Sequence, residues 1–164
     1  MEKQNRPMAE KQTDTLRHAG LDDIPAIIEM AKTLYEGSTY STMRLDLTRG
    51  VAFLEKFIIE GNENFLVMLS HDNGKPVGVI AAHAFTPLFR SEKIAAEVLF
   101  WLDPAYRTSD RGKELTLAYE YWAKLIGVSI CQYGLLSSAD QRLAKFYERN
   151  GAVEAERVFY KDIR

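Results

Sequence analysis

The chain has 164 residues, 46% apolar and 27% charged, and 21 lysines and arginines against 23 aspartates and glutamates leave a net charge of −2. That is one domain's worth of chain with enough apolar material for a core, and its balanced charge leaves no basic footprint for nucleic acid or an anionic membrane. A single cysteine, Cys131, excludes an internal disulfide and a cysteine-rich metal site, and with no bilayer-length apolar run and no apolar signal-peptide core the expected setting is reducing and cytoplasmic.

Residues 1–14 are polar and aperiodic and read as an N-terminal arm, with residues 15–164 as the single domain. Residues 15–18 suit a short strand. Ile24, Ile27, Ile28, Ala31, Leu34 and Tyr35 then recur at helical spacing. Asp22 is the expected N-cap, Pro25 sits in the first turn where its missing N–H costs nothing, and Gly37 is the expected stop. Residues 38–44 have no clear period and read as a loop. A second helix is predicted from about Thr48, with Leu47, Val51, Leu54 and Ile58 on one face and Gly61-Asn62 at its end. Residues 64–70 and 77–85 read as strands joined through Asn73-Gly74, a pair that favours a tight hairpin, with Pro76 at the start of the return strand. Residues 93–102 form a further apolar strand, so the middle of the sheet is expected to be antiparallel. Leu115, Ala118, Tyr119, Trp122, Leu125 and Ile126 mark a long helix, after which residues 128–136 read as a parallel strand reached by a helical crossover. Residues 140–150 form a last helix with Leu143, Phe146 and Tyr147 on one face. Residues 153–163 are expected to add one or two closing strands.

The stretch between the 93–102 strand and the long helix carries the chemistry. Asp103-Pro104 stops the strand, because proline has no N–H for a ladder. Arg107, Arg111 and Gly112 follow in a polar loop that opens the helix. A loop placed there offers free backbone N–H groups and the positive end of the helix dipole to an anion, by default a phosphate or pyrophosphate. The plainer alternative is a basic loop that caps a helix. Within the strand, Glu97 is the only acid among residues 94–102. A partly buried carboxylate has its pKa raised toward working pH and suits a general base, whereas a glutamate facing water has no such role. His83 and Trp101 read as packing residues and Cys131 as a small core residue. None of the three histidines has a second ligand-type residue at metal spacing, so no metal is expected.

Arg107-Thr108-Ser109-Asp110-Arg111-Gly112 resembles the Gln/Arg-x-x-Gly-x-Gly/Ala loop with which GCN5-related N-acetyltransferases hold the pyrophosphate of acetyl-coenzyme A, although Asp110 stands where the family usually has its first glycine. Ala96-Glu97-Val98-Leu99-Phe100 resembles the segment that holds the catalytic glutamate in the histone-acetylating branch, one residue out of spacing with the loop. The segment from Asp140 to Ala152 is similar to the family pattern Asn-x-x-Ala-x-x-x-Tyr-x-x-x-Gly-Phe. Tyr147 and Gly151 match there, while Asp140, Leu143 and Ala152 depart from it.

The resemblance covers roughly residues 16–164. It implies an α/β (α+β) acyl-CoA N-acyltransferase fold: a mixed, mostly antiparallel sheet flanked by helices and splayed at its central strand, with acetyl-coenzyme A as cofactor. Acetyl transfer to an amine requires the thioester to be held, the amine to lose a proton, the carbonyl oxygen to be stabilised and the leaving thiolate to be neutralised. The resemblance assigns cofactor binding to Arg107, Thr108, Ser109, Asp110, Arg111, Gly112 and Lys113. Oxyanion stabilisation falls to a backbone N–H near Phe100, Trp101 and Leu102. Glu97 is the candidate base, alongside a water chain, and Tyr147 is the candidate acid, alongside a core role. Tyr35, Glu36 and Tyr40 wall the expected acceptor side, which suits a cationic amine, small-molecule or protein. A homodimer is left open, and so is a non-catalytic module of the same fold that binds acyl-coenzyme A or a protein.

Overall fold

The computed structural model describes residues 16–163 except 62, 137, 138 and 140. The expected arm over 1–14, and Thr15, Asn62 and Asp140, lie outside the described residues. The elements run β1 (Leu16–His18), α1 (Ile24–Glu36), α2 (Leu47–Ile59), β2 (Phe65–Asp72), β3 (Lys75–Phe85), β4 (Ile94–Leu102), α3 (Arg111–Leu125), β5 (Ile130–Gln132) and α4 (Gln141–Arg149). The described strands form one sheet in the order β1-β2-β3-β4-β5. The first three pairings are antiparallel and β4–β5 is parallel. The parallel step needs a crossover, and α3 supplies it.

Alternation along the strands builds two cores. Leu66, Met68, Ile80, Ala82 and Ala95 face α3 and pack with Leu115, Tyr119 and Trp122. Val67, Leu69, Val79, Ala81 and Leu99 face α1 and α2 and pack with Ile24, Ile27, Met30, Leu54 and Phe57. Both sheet faces are therefore covered, which explains why β2 and β3 read as nearly continuous apolar runs. The β2–β3 turn places Asn73 at φ 47° and Gly74 at φ 77°, the two left-handed residues that a tight hairpin of this kind demands.

Several expectations are corrected. Asp22 is not the N-cap of α1: Leu21–Asp23 forms a 3₁₀ turn and Asp23 precedes the helix. The Asp23 carboxylate accepts the Gly20 N–H at 2.8 Å and pairs with Arg17 at 2.7 Å. The Arg17 hydrogen bond comes first among the causes that hold it below the usual carboxylate range. The 38–44 loop contains a 3₁₀ turn, Thr39–Thr42, begun by a hydrogen bond from the Tyr40 N–H to Ser38 Oγ. In α2 the buried residues are Leu54 and Phe57, while Leu47 lies exposed. Leu125, expected on the α3 stripe, is 68% exposed, because the helix ends there and Gly127 turns the chain at φ 77°.

The largest correction is at the C-terminus. No strand forms over 153–163, and β5 is three residues long rather than nine. A closing strand needs an edge to pair with, and β5 runs alongside β4 only through Ile130, Cys131 and Gln132. Arg157 and Lys161 also interrupt the apolar alternation that a half-buried strand requires.

Candidate active site

β4 is paired on both edges only over Ile94, Ala95 and Ala96, which meet Ile130, Cys131 and Gln132. From Glu97 to Leu102 the described strands pair it with β3 alone. β5 departs after Gln132, and the cleft is this divergence, bounded by the Glu97–Leu102 edge of β4, which has no second strand partner among the described residues.

At the mouth of that cleft β4 carries a bulge. Ala81 faces Leu99 and Ala82 faces Glu97, so Val98 is the additional residue. Strict alternation would put Ala95, Glu97 and Leu99 on one face. Instead Ala95 packs in the α3-side core and Leu99 in the α1/α2 core, and beyond the bulge Phe100 returns to the α3 side. The inserted residue reverses the face of the strand. Glu97 and Phe100 thereby both reach Tyr147 on α4.

The Tyr147 hydroxyl donates to Glu97 Oε2 at 3.2 Å, bringing together two residues 50 positions apart. The Gly134 backbone also hydrogen-bonds the Glu97 carboxylate, and a Cβ built on Gly134 would stand 3.6 Å from Glu97 Oε1. Burial pushes the Glu97 carboxyl up to about 7, against the downward pull of the Tyr147 and Gly134 hydrogen bonds. Burial, and then the neighbouring Glu97 charge, raise the Tyr147 phenol well above the usual tyrosine range. Tyr147 is 7% exposed.

Its ring is held on several sides. Tyr133 stacks on it at 4.8 Å and 27°, with Phe100 at 6.3 Å and Phe146 at 5.7 Å. Tyr133 is in turn anchored by its hydroxyl to Glu120 Oε1 of α3 at 2.6 Å. Tyr133, Phe146 and Tyr147 border a pocket of about 180 Å³ lined also by Thr116, Glu120, Cys131 and Asn150. Tyr133, Gly134 and Glu120 were not singled out in the sequence. Tyr133 sits inside an apolar run, and no local spacing connects it with residues 120 and 147.

The loop before α3 is a succession of tight turns. Tyr106 N–H reaches Asp103 O at 2.8 Å and Ser109 N–H reaches Tyr106 O at 3.0 Å. Asp110 stands at the helix start with φ −73°, so this loop needs no left-handed residue at that position, and its carboxylate makes no capping hydrogen bond. The first N–H taken up within the helix is that of Glu114, by the Asp110 carbonyl at 2.9 Å. The preceding donors at Gly112 and Lys113 lie outside the intrahelical ladder, where an anion can meet them.

The two arginines differ. Arg111 turns back onto β2, donating to Ser70 Oγ at 3.1 Å, to His71 O at 2.7 Å and to Asp72 Oδ1 at 3.2 Å, and it lies over the Tyr106 ring at 5.2 Å. It fastens the loop to the sheet. Arg107 is exposed and is tethered through Nε to the Leu102 carbonyl at 3.0 Å. Thr108, Ser109, Asp110 and Lys113 lie at the surface, while Gly112 is buried beside Phe100, Leu102 and Phe146. Trp101 packs toward α1 and α2, away from Tyr147.

On the other side of Glu97, Tyr35 is half-buried, and its phenol is raised first by burial and then by the Glu97 charge. Glu36 is exposed. Tyr40 meets Tyr160 of the C-terminal segment at 5.7 Å. His83 stacks on Phe85 at 5.0 Å, and burial lowers its imidazole pKa, as suits a packing residue.

Solved structures share this architecture. Glucosamine-6-phosphate N-acetyltransferase from Arabidopsis thaliana superimposes with a TM-score of 0.71 at 15% identity, covering 93% of this chain and 100% of that one. A transcriptional regulator from Bacillus halodurans C-125 gives 0.72 at 18% identity, covering 92% and 100%. AAC(6')-Iy in complex with the bisubstrate analogue CoA-S-monomethyl-acetylneamine gives 0.73 at 16% identity, covering 93% and 99%. No curated protein matches the chain's sequence. The acetyltransferase (GNAT) family matches residues 25–152, which span the cleft, the loop before α3 and the Glu97–Tyr147 pair, and the chain belongs to that family.

Proposed function

We propose that the protein is an N-acetyltransferase that moves an acetyl group from acetyl-coenzyme A to a primary amine by direct attack on the thioester. The observation that carries this reading is the Glu97–Tyr147 contact, 3.2 Å long, at the mouth of the cleft beside the start of α3. It sets a carboxylate and a phenol, a base and an acid, side by side, the phenol buried and the carboxylate partly buried.

The chain's residues fit the cofactor. The N–H groups opening α3 and the Arg107 guanidinium suit a pyrophosphate, and the edge of β4 that no described strand pairs suits the amides of a pantetheine arm. When bound, acetyl-coenzyme A supplies the acetyl group as an activated thioester. Glu97, with its carboxyl near neutrality, takes the proton that an ammonium must lose before its nitrogen can attack. A backbone N–H at the Phe100, Trp101 and Leu102 end of β4 stabilises the carbonyl oxygen. Tyr147 donates to the departing sulfur. Tyr35, Glu36 and Tyr40 form the acceptor wall, where aromatic and acidic groups favour a cationic amine over a neutral alcohol.

The test has two stages. Coenzyme A should raise the melting temperature by mass action. Acetyl-coenzyme A should then release thiol in the presence of a member of a panel of sugar amines, polyamines and peptides, with the acetylated product identified by mass spectrometry. Stabilisation without transfer to any amine would instead support the non-catalytic acyl-coenzyme A-binding module, and neither effect would overturn both.

A further inference from the structure

We propose that Glu97 and Tyr147 act as one proton relay, in which protonation of Glu97 is the event that turns the Tyr147 proton toward the leaving group. The inference rests on the transferase reading and adds an order of events to it. A phenol has one hydrogen, and here it is given to Glu97 Oε2. While the carboxylate is charged, that hydrogen is engaged, and its loss to any other acceptor would leave a phenolate beside a carboxylate 3.2 Å away. Two like charges so close are strongly disfavoured. Once Glu97 holds a proton it becomes a donor to the Tyr147 oxygen. The phenol hydrogen is then free to turn, and a phenolate formed there would be hydrogen-bonded rather than repelled.

The proton balance closes with water as the one further acceptor: an ammonium first loses a proton through Glu97 to solvent, and the relay then carries the proton that the attacking nitrogen still has to lose. An amine N–H bond breaks and an O–H bond forms on Glu97. The Tyr147 O–H bond breaks and its proton passes to the thiolate released from the thioester. The Glu97 proton then returns to the Tyr147 oxygen. The net result is one proton carried from amine to thiol, with both side chains restored.

The surroundings favour hydroxyl rotation over movement of the ring. Tyr147 is stacked on Tyr133 and flanked by Phe100 and Phe146, and Tyr133 is tied to Glu120 at 2.6 Å. The titratable groups around the pair are Tyr35 from α1, Tyr119 and Glu120 from α3, and Cys131 and Tyr133 from β5 and the residues after it. The phenols of Tyr35, Tyr119 and Tyr133 and the Cys131 thiol are all shifted upward, with burial the first cause, so they stay neutral around pH 7. Glu120 is engaged by the Tyr133 hydroxyl.

The relay is tested first in the protein without substrates. With carbon-13 in the glutamate carboxyls, Glu97 is identified by the resonance that disappears in Glu97→Gln, and its midpoint is followed by NMR. The wild-type midpoint should lie near 7, and Tyr147→Phe, which removes a hydrogen bond to the charged form, should move it upward. Should the phenylalanine variant not fold, the reciprocal reading is the Tyr147 ring resonance. It should follow pH between about 6 and 8 in wild type and cease to do so in Glu97→Gln. In turnover, the double variant should lose little more rate than the worse single variant, because the two residues serve one path. A Glu97 midpoint unmoved by Tyr147→Phe, a Tyr147 resonance indifferent to Glu97→Gln, or fully multiplicative losses would overturn the relay in an active enzyme. A protein that acetylates no amine overturns the transferase reading and the relay with it.

Discussion

The two halves of β4 differ in what their backbones do. Over Ile94, Ala95 and Ala96 the strand is paired on both edges, and Ala95 is fully buried. From Glu97 onward β3 is its only partner among the described strands, and it carries the Val98 bulge and borders the cleft. The first half spends its hydrogen bonds on the sheet and can only be scaffold. The second half has an open edge and a reversed face, and both candidate proton-handling residues meet there. On the proposed reading function lies where pairing with β5 stops, and the long β3–β4 ladder holds that edge in position. Changes at the open half should alter chemistry or binding while sparing the fold, and changes on the ladder should do the reverse.

The sharpest test of that division is Tyr147→Phe, which keeps the ring and removes one oxygen. Cofactor affinity and melting temperature should change little, while kcat falls by about 10²–10⁴. Wild-type kcat in a folded variant, under conditions where chemistry limits the rate, would return Tyr147 to the core. Next in size is Arg107→Ala. A charge-assisted contact is worth about 1.5–3 kcal/mol, so calorimetric affinity for coenzyme A should fall roughly ten- to a hundredfold, with pantetheine much less affected. Equal losses for both ligands would place Arg107 away from the phosphates.

On the ladder, Gly78→Ala should act on stability. Its Cβ would stand 2.7 Å from Leu102 Cδ1 and 3.3 Å from the Trp101 carbonyl oxygen, so the sheet or the side chains must shift. Overpacking of this kind costs about 1–3 kcal/mol, a fall in melting temperature of roughly 2–10 °C. A variant of unchanged stability would show that the junction of β3, β4 and α3 yields more readily than its packing indicates. The smallest effect belongs to Asp46→Ala at the start of α2, where the carboxylate accepts the Arg49 N–H at 3.0 Å. Loss of such a cap costs about 1 kcal/mol, read by denaturant unfolding, and leaves Tyr147 and Glu97 untouched.

A pH series separates the halves in another way. The Glu97 carboxyl binds its proton more tightly when folded, so its contribution favours the native state at low pH and is lost as pH rises from its ordinary range toward about 7. Glu97→Gln should therefore flatten the fall in melting temperature across that window.

Local pattern was enough for much of the molecule. Helical spacing in α1, α3 and α4, the Asn73-Gly74 turn, and the apolar runs of β2, β3 and β4 are written in short stretches of chain, because each depends on neighbours a few residues away. The strand–loop–helix order around residues 103–113 likewise located the start of α3, the end proposed to meet an anion, since a helix start exposes N–H groups whatever its tertiary setting. Glu97 and Tyr147 could be named as candidates one by one. Their contact could not be read, because it depends on a one-residue bulge and on where β5 leaves β4. Nor could the Tyr133–Glu120 anchor, which joins residues of no local relation. The closing strands expected over 153–163 failed for a similar reason: a strand exists only by virtue of an edge, and the edge offered by β5 lasts three residues. What the chain determined by itself was its local geometry and its family. Which side chains share a cleft, and which arginine is left at the surface rather than fastened to β2, were decided only by the tertiary structure, because long-range pairing and burial set both the faces of the strands and the protons held between them.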